Sequence, residues 1–598
     1  MAATSHTWDL TRSPFVELLG TNHAPSPDKL NELRTLLIEP YAELERLETE
    51  IARALNEKEK INNFIEAHRA LMSPVRQVPA EVLAEIFVHC LPTERNAVRS
   101  LDEAPLLLTT ICRDWRRVAL DIPRLWRTLH IFIPPHLSDQ VMSRRAAGIR
   151  TWLGRSGTLP LSISFHAQSP FAQYLSTTGT IPVPVHATDH LKSLISALAS
   201  FSPRFGDLCL SLPITHLKLF DELSGPHFPI LHTFRVPDGR HLYRVNAQNL
   251  EEDACVGSLL NRAAVLRRLE ISSGIYAGAG RYLSLAIDWA LLVDLSLQKR
   301  DDRGLIPSEA LEVIRRTPNL QNLHICFTLS EEHPLDSASI GKIMLFHLVN
   351  LRFEFSWFSF DFDSNPAILN GLRLQTTSIF ESLCLPSLKL LSVSGFHSRG
   401  RRVIDLKSIY DSSEIPFHNL ETLELALEMT PKELHECLSS APELLSLHFK
   451  NMGFPPCFSD SHFSGLTRSH GTPSPLCPKL TTVRVFYMHL PSAYNTNIIT
   501  SSSILSFARS RAKTLKIFDV YFAQDPSFAE EDLVALRKLK EDGLNMRLHS
   551  AAELTAQQDS PLCGLPSIPV SQPRMWQPGG NQSQRSDMEG YYGTHYIV

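Results

Sequence analysis

Four short segments of this 598-residue chain carry residue types and spacings that can do chemistry. "GIYAGAGRY", Gly274 to Tyr282, opens a G-x-G of the kind whose bare backbone cradles a phosphate. Leu283 stands where the third glycine of G-x-G-x-x-G belongs, so the segment reads as a turn between elements. "GFHSRG", Gly395 to Gly400, has one residue too many for the G-x-S-x-G elbow that presents a nucleophilic serine, and reads as a loop. "HECL", His435 to Leu438, lacks the second histidine of a zinc-binding helix. "SRGRR", Ser398 to Arg402, gathers three guanidinium groups that could meet phosphate or an acidic peptide, and reads more simply as a solvated loop. No local arrangement selects a general acid, base or nucleophile. The expectation is a non-catalytic protein without cofactor or metal.

The bulk properties narrow the partners. A formal charge of -5 on this length supplies no global field for nucleic acid or an anionic membrane, so neither is expected. The first twenty residues lack a basic segment followed by an apolar core, and no run reaches ~18 apolar residues. Ten cysteines are scattered without a C-x-x-C pair, which favours free thiols and a cytoplasmic and/or nuclear location.

With no catalytic cluster to position, the long elements become the informative part. Residues 1–27, rich in Ser, Thr and Pro, read as a flexible N-terminus. Across 28–72 a three-four spacing runs through Leu30, Leu33, Leu37, Pro40, Leu44, Leu47, Ile51, Ala54, Lys58, Ile61, Ile65, His68 and Met72, a helical seam. Pro40 is expected to kink or break it, leaving the sound part from Tyr41. The seam either packs on its own domain or forms a homodimeric coiled coil. A connecting region spans 134–199, and "QPGGNQSQRS" marks 551–598 as a disordered tail.

Residues 73–133 read as two greasy helices. Pro79 opens the first, where Val82, Leu83, Ile86, Phe87, Cys90 and Leu91 form a stripe. After a mostly polar loop, 92–105, the second carries Leu107, Leu108, Ile111, Cys112, Trp115 and Val118 on one side, until Pro123 stops it before Leu125 and Trp126. A unit of about 50 residues buries too little surface to be very stable alone. Its motifs are Val78-Pro79, Glu81, Leu83 and Ile86-Phe87, then Cys112 and Trp115-Arg116, then Pro123 and Leu125-Trp126. They resemble the F-box abundant in mushroom-forming fungi, although Val78 replaces the common Leu and the inter-helix loop is longer than usual. The resemblance implies docking on a Skp-type adaptor of a cullin-RING ubiquitin ligase, with Pro79, Leu83, Ile86, Phe87, Leu91, Leu107, Ile111 and Trp115 as the adaptor-binding residues.

From 200 to 550 the chain repeats a Leu-x-x-[L/V/F]-x-apolar hexamer, starting at Leu231, Leu266, Leu292, Leu320, Leu348, Leu388, Leu420, Leu444, Leu480 and Leu515. Helical stretches lie between, such as Pro307 to Leu320 and Pro431 to Leu444. One strand and one helix per unit is the leucine-rich-repeat plan, here with uneven units and without the Asn or Cys of the ninth position. The expected fold class is therefore α/β: an N-terminal helix and a small all-α F-box, followed by an irregular leucine-rich-repeat-like α/β solenoid. In each hexamer the fourth and sixth side chains face the core and the fifth projects from the strand face. That row comprises Arg235, Glu270, Ser296, His324, Arg352, Ser392, Glu424, His448, Arg484 and Asp519, and its charged and histidine members are the candidate contacts for a protein target of unknown identity. Together these features point to a substrate receptor of a ubiquitin ligase; the alternative is an F-box and repeat scaffold not coupled to ubiquitination.

Overall fold

The computed structural model describes residues 8–550 apart from 134–138, 168–188, 213, 226, 238–253, 273–281, 299–303, 332–334, 336–340, 358–365, 397–402, 413, 452–457, 468–475, 488–498 and 523–527. The "SRGRR" loop, most of the 274–282 glycine segment and the 551–598 tail lie outside the described residues. The chain is mixed α/β and divides into two compact units between Leu83 and Ala84.

The first unit is dominated by one 45-residue helix, α1 (Pro27–Leu71), entered from Ser26 with Pro27 in its first turn, where a missing N–H costs nothing. Before it, a short 3-10 turn at Leu10–Arg12 precedes a buried Phe15. At Pro40 the helix is not broken: α1 runs through it. Proline removes one intrahelical hydrogen bond, while good helix formers such as Leu, Glu and Arg on both sides keep propagation favourable. Among the described residues the seam is largely uncovered. Leu44, Leu47, Ile51 and Ile61 are 52, 42, 58 and 59% exposed.

The second unit opens with helix α2, which continues from the first (Ala80–His89). The second greasy helix is split into α3 (Leu108–Ile111) and α4 (Arg113–Asp121). The break falls at Cys112, whose backbone is fully extended (φ -156°, ψ 172°) and whose sulfur accepts from Trp115 N at 3.4 Å as a helix cap. Pro123 then starts a 3-10 turn ending at Trp126.

Sixteen strands follow: β1 (Thr128–Ile133), β2 (Leu161–Ala167), β3 (Phe205–Ser211), β4 (Thr233–Val236), β5 (Arg268–Ser272), β6 (Asp294–Gln298), β7 (Asn322–Leu329), β8 (Ile343–Met344), β9 (Asn350–Trp357), β10 (Leu383–Cys384), β11 (Leu390–Phe396), β12 (Thr422–Ala426), β13 (Ser446–Asn451), β14 (Thr482–Tyr487), β15 (Ile517–Phe522) and β16 (Asn545–Ser550). β8 and β10 pair with each other. The other fourteen form one parallel sheet in sequence order. The sheet begins well before the first leucine hexamer: β1 lies at the end of the F-box-like segment, and the connecting stretch supplies β2 between helices Asp139–Arg155 and Asp189–Ala199.

Helices occupy most of the described crossovers and pack on their neighbours in two runs, from Asp139–Arg155 to Ala254–Asn261 and from Pro307–Arg315 to Glu530–Glu541, while the β5–β6 crossover carries 3-10 turns. Parallel neighbours need such connections. They begin cleanly: Thr430 and Glu433 cap Pro431–Ser439 reciprocally, sealing two backbone donors. The hexamer leucines Leu292, Leu320, Leu348, Leu388, Leu420 and Leu444 are wholly buried. At the middle of the sheet an aromatic cluster forms, Phe327 edge-on to Phe353 at 4.9 Å and Phe353 against Phe380 at 5.6 Å. Near the end, the buried Arg511 guanidinium donates to the carbonyls of Leu466, Leu476 and Cys477. Phe353→Ala opens a cavity at the centre of this core, and is expected to cost about 3–5 kcal/mol, seen as a lower urea midpoint at unchanged slope.

Candidate functional site

The sheet's parallel register turns the predicted fifth positions into a continuous row. Arg235 lies beside Glu270, Glu270 beside Ser296, Ser296 beside His324 and His324 beside Arg352. Ser392 follows Arg352, then come Glu424, His448, Arg484 and Asp519. All ten residues thus stand on adjacent strands. The row is also longer than the sequence implies, because His130, Ser164 and Cys209 extend it through β1 to β3 and Arg547 carries it onto β16. These four belong to hexamers whose first residue is Trp126, Pro160, Phe205 or Gly543 in place of leucine. A search allowing those residue types at the first position would have found them.

The row differs from a freely projecting one in its burial. Glu424, Asp519, His324, Ser392 and His448 are buried, whereas Arg235, Glu270, Ser296, Arg352 and Arg484 are half-buried. The charged members neutralise one another. Glu424 Oε1 meets Arg352 at 3.5 Å, across the strand that carries Ser392, and His448 Nδ1 at 3.2 Å; its Oε2 receives Lys450 Nζ at 3.2 Å. Arg484 Nε donates to Asp519 Oδ2 at 3.2 Å. Burial raises the Glu424 pKa, but the His448 hydrogen bond and the charges of Lys450, Arg352 and His448 outweigh it and hold the carboxyl well below the usual carboxylate range.

The neighbouring positions are polar as well. Arg268 bridges Asp294 at 2.5 Å, Asn322 donates to Asp294, and Asn350 donates to Asn322, a ladder two residues upstream of the main row. Two residues downstream, Phe486 stacks on Tyr521 with ring centroids 4.6 Å apart. Lys450, which sequence reasoning missed, occupies this same downstream position relative to His448 and faces Glu424 because side chains two apart share a strand face.

The F-box-like residues divide into inside and outside. Phe87 is fully buried and tilts against half-buried Trp115, ring centroids 4.9 Å apart. Leu83 is buried too, so in this structure both side chains belong to the apolar core, as small units need to hold themselves together. Ile86, Leu107 and Ile111 are 46, 37 and 55% exposed, Pro79 is exposed and Leu91 half-buried. Trp126 is wholly enclosed; its ring N–H donates to the Ala119 carbonyl at 2.9 Å, Trp152 packs edge-on at 4.9 Å and the Arg155 guanidinium lies 4.7 Å above it.

The long loop between α2 and α3 is occupied within the chain. Arg95 pairs with Glu103, and Glu103 Oε1 also accepts from Val98 N at 3.0 Å. The Ala97 carbonyl accepts from His130 N at 2.8 Å, and Asn96 donates to Ser164 while accepting from Ser162. The loop therefore covers the first edge of the sheet, where unpaired strand groups would otherwise invite another chain.

Among the described residues, no group of three or more His, Cys, Asp or Glu side chains is placed to hold a metal ion, and no helix is long and apolar enough to cross a membrane. His435 sits on Pro431–Ser439, whose buried Cys437 thiol is pushed by burial up to about 12. Seven cysteines within the described residues are free. Compared with known proteins, the chain matches no family model and no curated protein.

The Glu424 network has a signed pH signature. A carboxyl held below its ordinary value of 4.5 stabilises the fold above that value, and the contribution erodes as pH falls toward the folded value. The stability gap between wild type and Glu424→Gln is expected to shrink as pH falls below the ordinary carboxylate value, by up to about 1.4 kcal/mol per unit. Urea midpoints measured from neutral to acid pH read this directly; a gap that persists undiminished in acid rejects the network.

Proposed function

We propose that this chain is an F-box substrate receptor: residues 73–133 dock on a Skp-type adaptor of a cullin-RING ubiquitin ligase, and the sheet, read as an irregular leucine-rich-repeat-like solenoid, holds a protein target on its strand face. The chemistry of ubiquitin transfer belongs to other subunits, and this chain contributes proximity.

The observation that carries the reading is the partition of the F-box-like side chains. Phe87, Leu125 and Trp126 are consumed by the internal core, while Ile86 and Ile111, at motif and helix positions where the resemblance places adaptor contacts, remain roughly half exposed or more. Aliphatic side chains of this kind gain from a partner's apolar surface, and lost rigid-body freedom takes back part of that gain. The longer loop is tied down inside the chain by the Arg95–Glu103 pair, by Asn96 against Ser162 and Ser164, and by the Ala97 carbonyl accepting from His130 N.

On the strand face, the half-buried Arg235, Glu270, Arg352 and Arg484 are the members reachable by a target, whereas Glu424, His324, His448 and Asp519 set the positions and charges of those around them. A neutralised face of this sort recognises by shape and hydrogen bonding more than by net charge.

Calorimetry of the full chain against a Skp-type adaptor tests the docking. Ile86→Asp combined with Ile111→Asp is expected to weaken binding by about 100-fold or more, with near-ultraviolet circular dichroism unchanged because both side chains point outward. Undiminished affinity in the folded double variant, or no affinity in the wild type, rejects the interface.

A further inference from the structure

The exposed seam of α1 is an apolar surface without a partner inside its own unit. Leu37, Leu44, Leu47, Ile51, Ile61 and Ile65, six members of the three-four spaced seam spread over about four heptads, are between 40 and 59% exposed. A 45-residue helix is ~68 Å long and gains little from propensity alone; a helix of this pattern persists when the seam is buried. We propose that the occupant of the seam is α1 of a second copy of this chain, so that the protein is a dimer joined through a two-stranded coiled coil.

Two features favour a second copy. The stripe keeps its three-four repeat from Leu30 to Ile65, which is the geometry that lets two helices wrap about each other over their whole length. Twelve such side chains, six from each copy, together with their flanks, hide on the order of 1,000 Å², the size at which an association becomes specific. Part of the flanking charge is answered within the helix, since Arg46 engages Glu43 and Glu50 at 2.6 and 2.8 Å, while Glu48 and Glu57 stand exposed on the same margins and oppose close pairing through like charge. Lys58 is the one charged residue in the stripe; its aliphatic stem lies along the seam and its ammonium reaches water, a device that sets register at some cost in stability.

A dimer would place two docking modules and two strand faces in one particle, which raises the effective concentration of a second binding event. The proposal stands whether or not the ubiquitin-ligase reading does, because it rests on α1 alone.

Sedimentation of the full chain at concentrations up to about 100 μM tests it. The wild type is expected at twice the chain mass of 67.2 kDa, and Leu47→Asp combined with Ile51→Asp at the single-chain mass. In the variant, far-ultraviolet circular dichroism should lose helix signal equivalent to much of α1, while the main thermal transition of the remaining chain stays in place, separating loss of pairing from general unfolding. A wild-type chain that is a monomer throughout this range, with its α1 amides protected by packing on the same chain, overturns the proposal; so does a double variant that remains a dimer.

Discussion

Two side chains per strand, the fourth and sixth of each hexamer, must be buried against the helical layer, and everything else about the second unit depends on this. Because the strands are parallel and paired in sequence order, burying Leu295 and Leu297, Leu323 and Ile325, or Leu351 and Phe353 fixes the register of each strand against the next. A slip of one residue would turn those side chains to the other face. The polar row is the necessary counterpart of that constraint. Residues between two buried neighbours point the other way, and fixed register brings them side by side. The same geometry that builds the core therefore builds the Arg352, Glu424, His448 and Lys450 network, and a buried Glu424 is tolerable only because three cationic or hydrogen-bonding partners are delivered to it.

Trp126 joins the two halves of this unit. It closes the F-box-like motif and at the same time stands at the first position of the β1 hexamer, so one side chain is counted in both cores. Its hydrogen bond to Ala119 ties it to α4, and its edge contact with Trp152 ties it to the first helix of the sheet layer. The loop before α3, with Ala97 paired to His130 and Asn96 to Ser162 and Ser164, makes the same connection on the sheet edge. The stretch from Arg95 to Trp126 is thus tied to the start of the sheet at two points.

The first unit obeys a different rule. Its helix leaves an apolar seam largely exposed among the described residues, whereas the sheet unit buries the fourth and sixth side chains of its hexamers internally. Pro40 within α1 shows how length dilutes a local penalty: one missing donor is small beside a helix of 45 residues.

The alternation of buried and polar positions, the helices between the hexamers, and ten members of the polar row were legible in the sequence, because period and residue type are local properties read along the chain. The helical break at Cys112 was not, since the run Leu107 to Val118 is uniformly compatible with a helix and the interruption appears only when Trp115 must meet Phe87. The extension of the sheet to β1, β2, β3 and β16 was hidden by Trp126, Pro160, Phe205 and Gly543, which fill the first position in ways a leucine pattern does not anticipate. Burial of Leu83, Phe87 and Glu424 likewise belonged to the tertiary structure alone: a sequence shows which side chains share a face, but how much water reaches that face depends on which other elements fold over it.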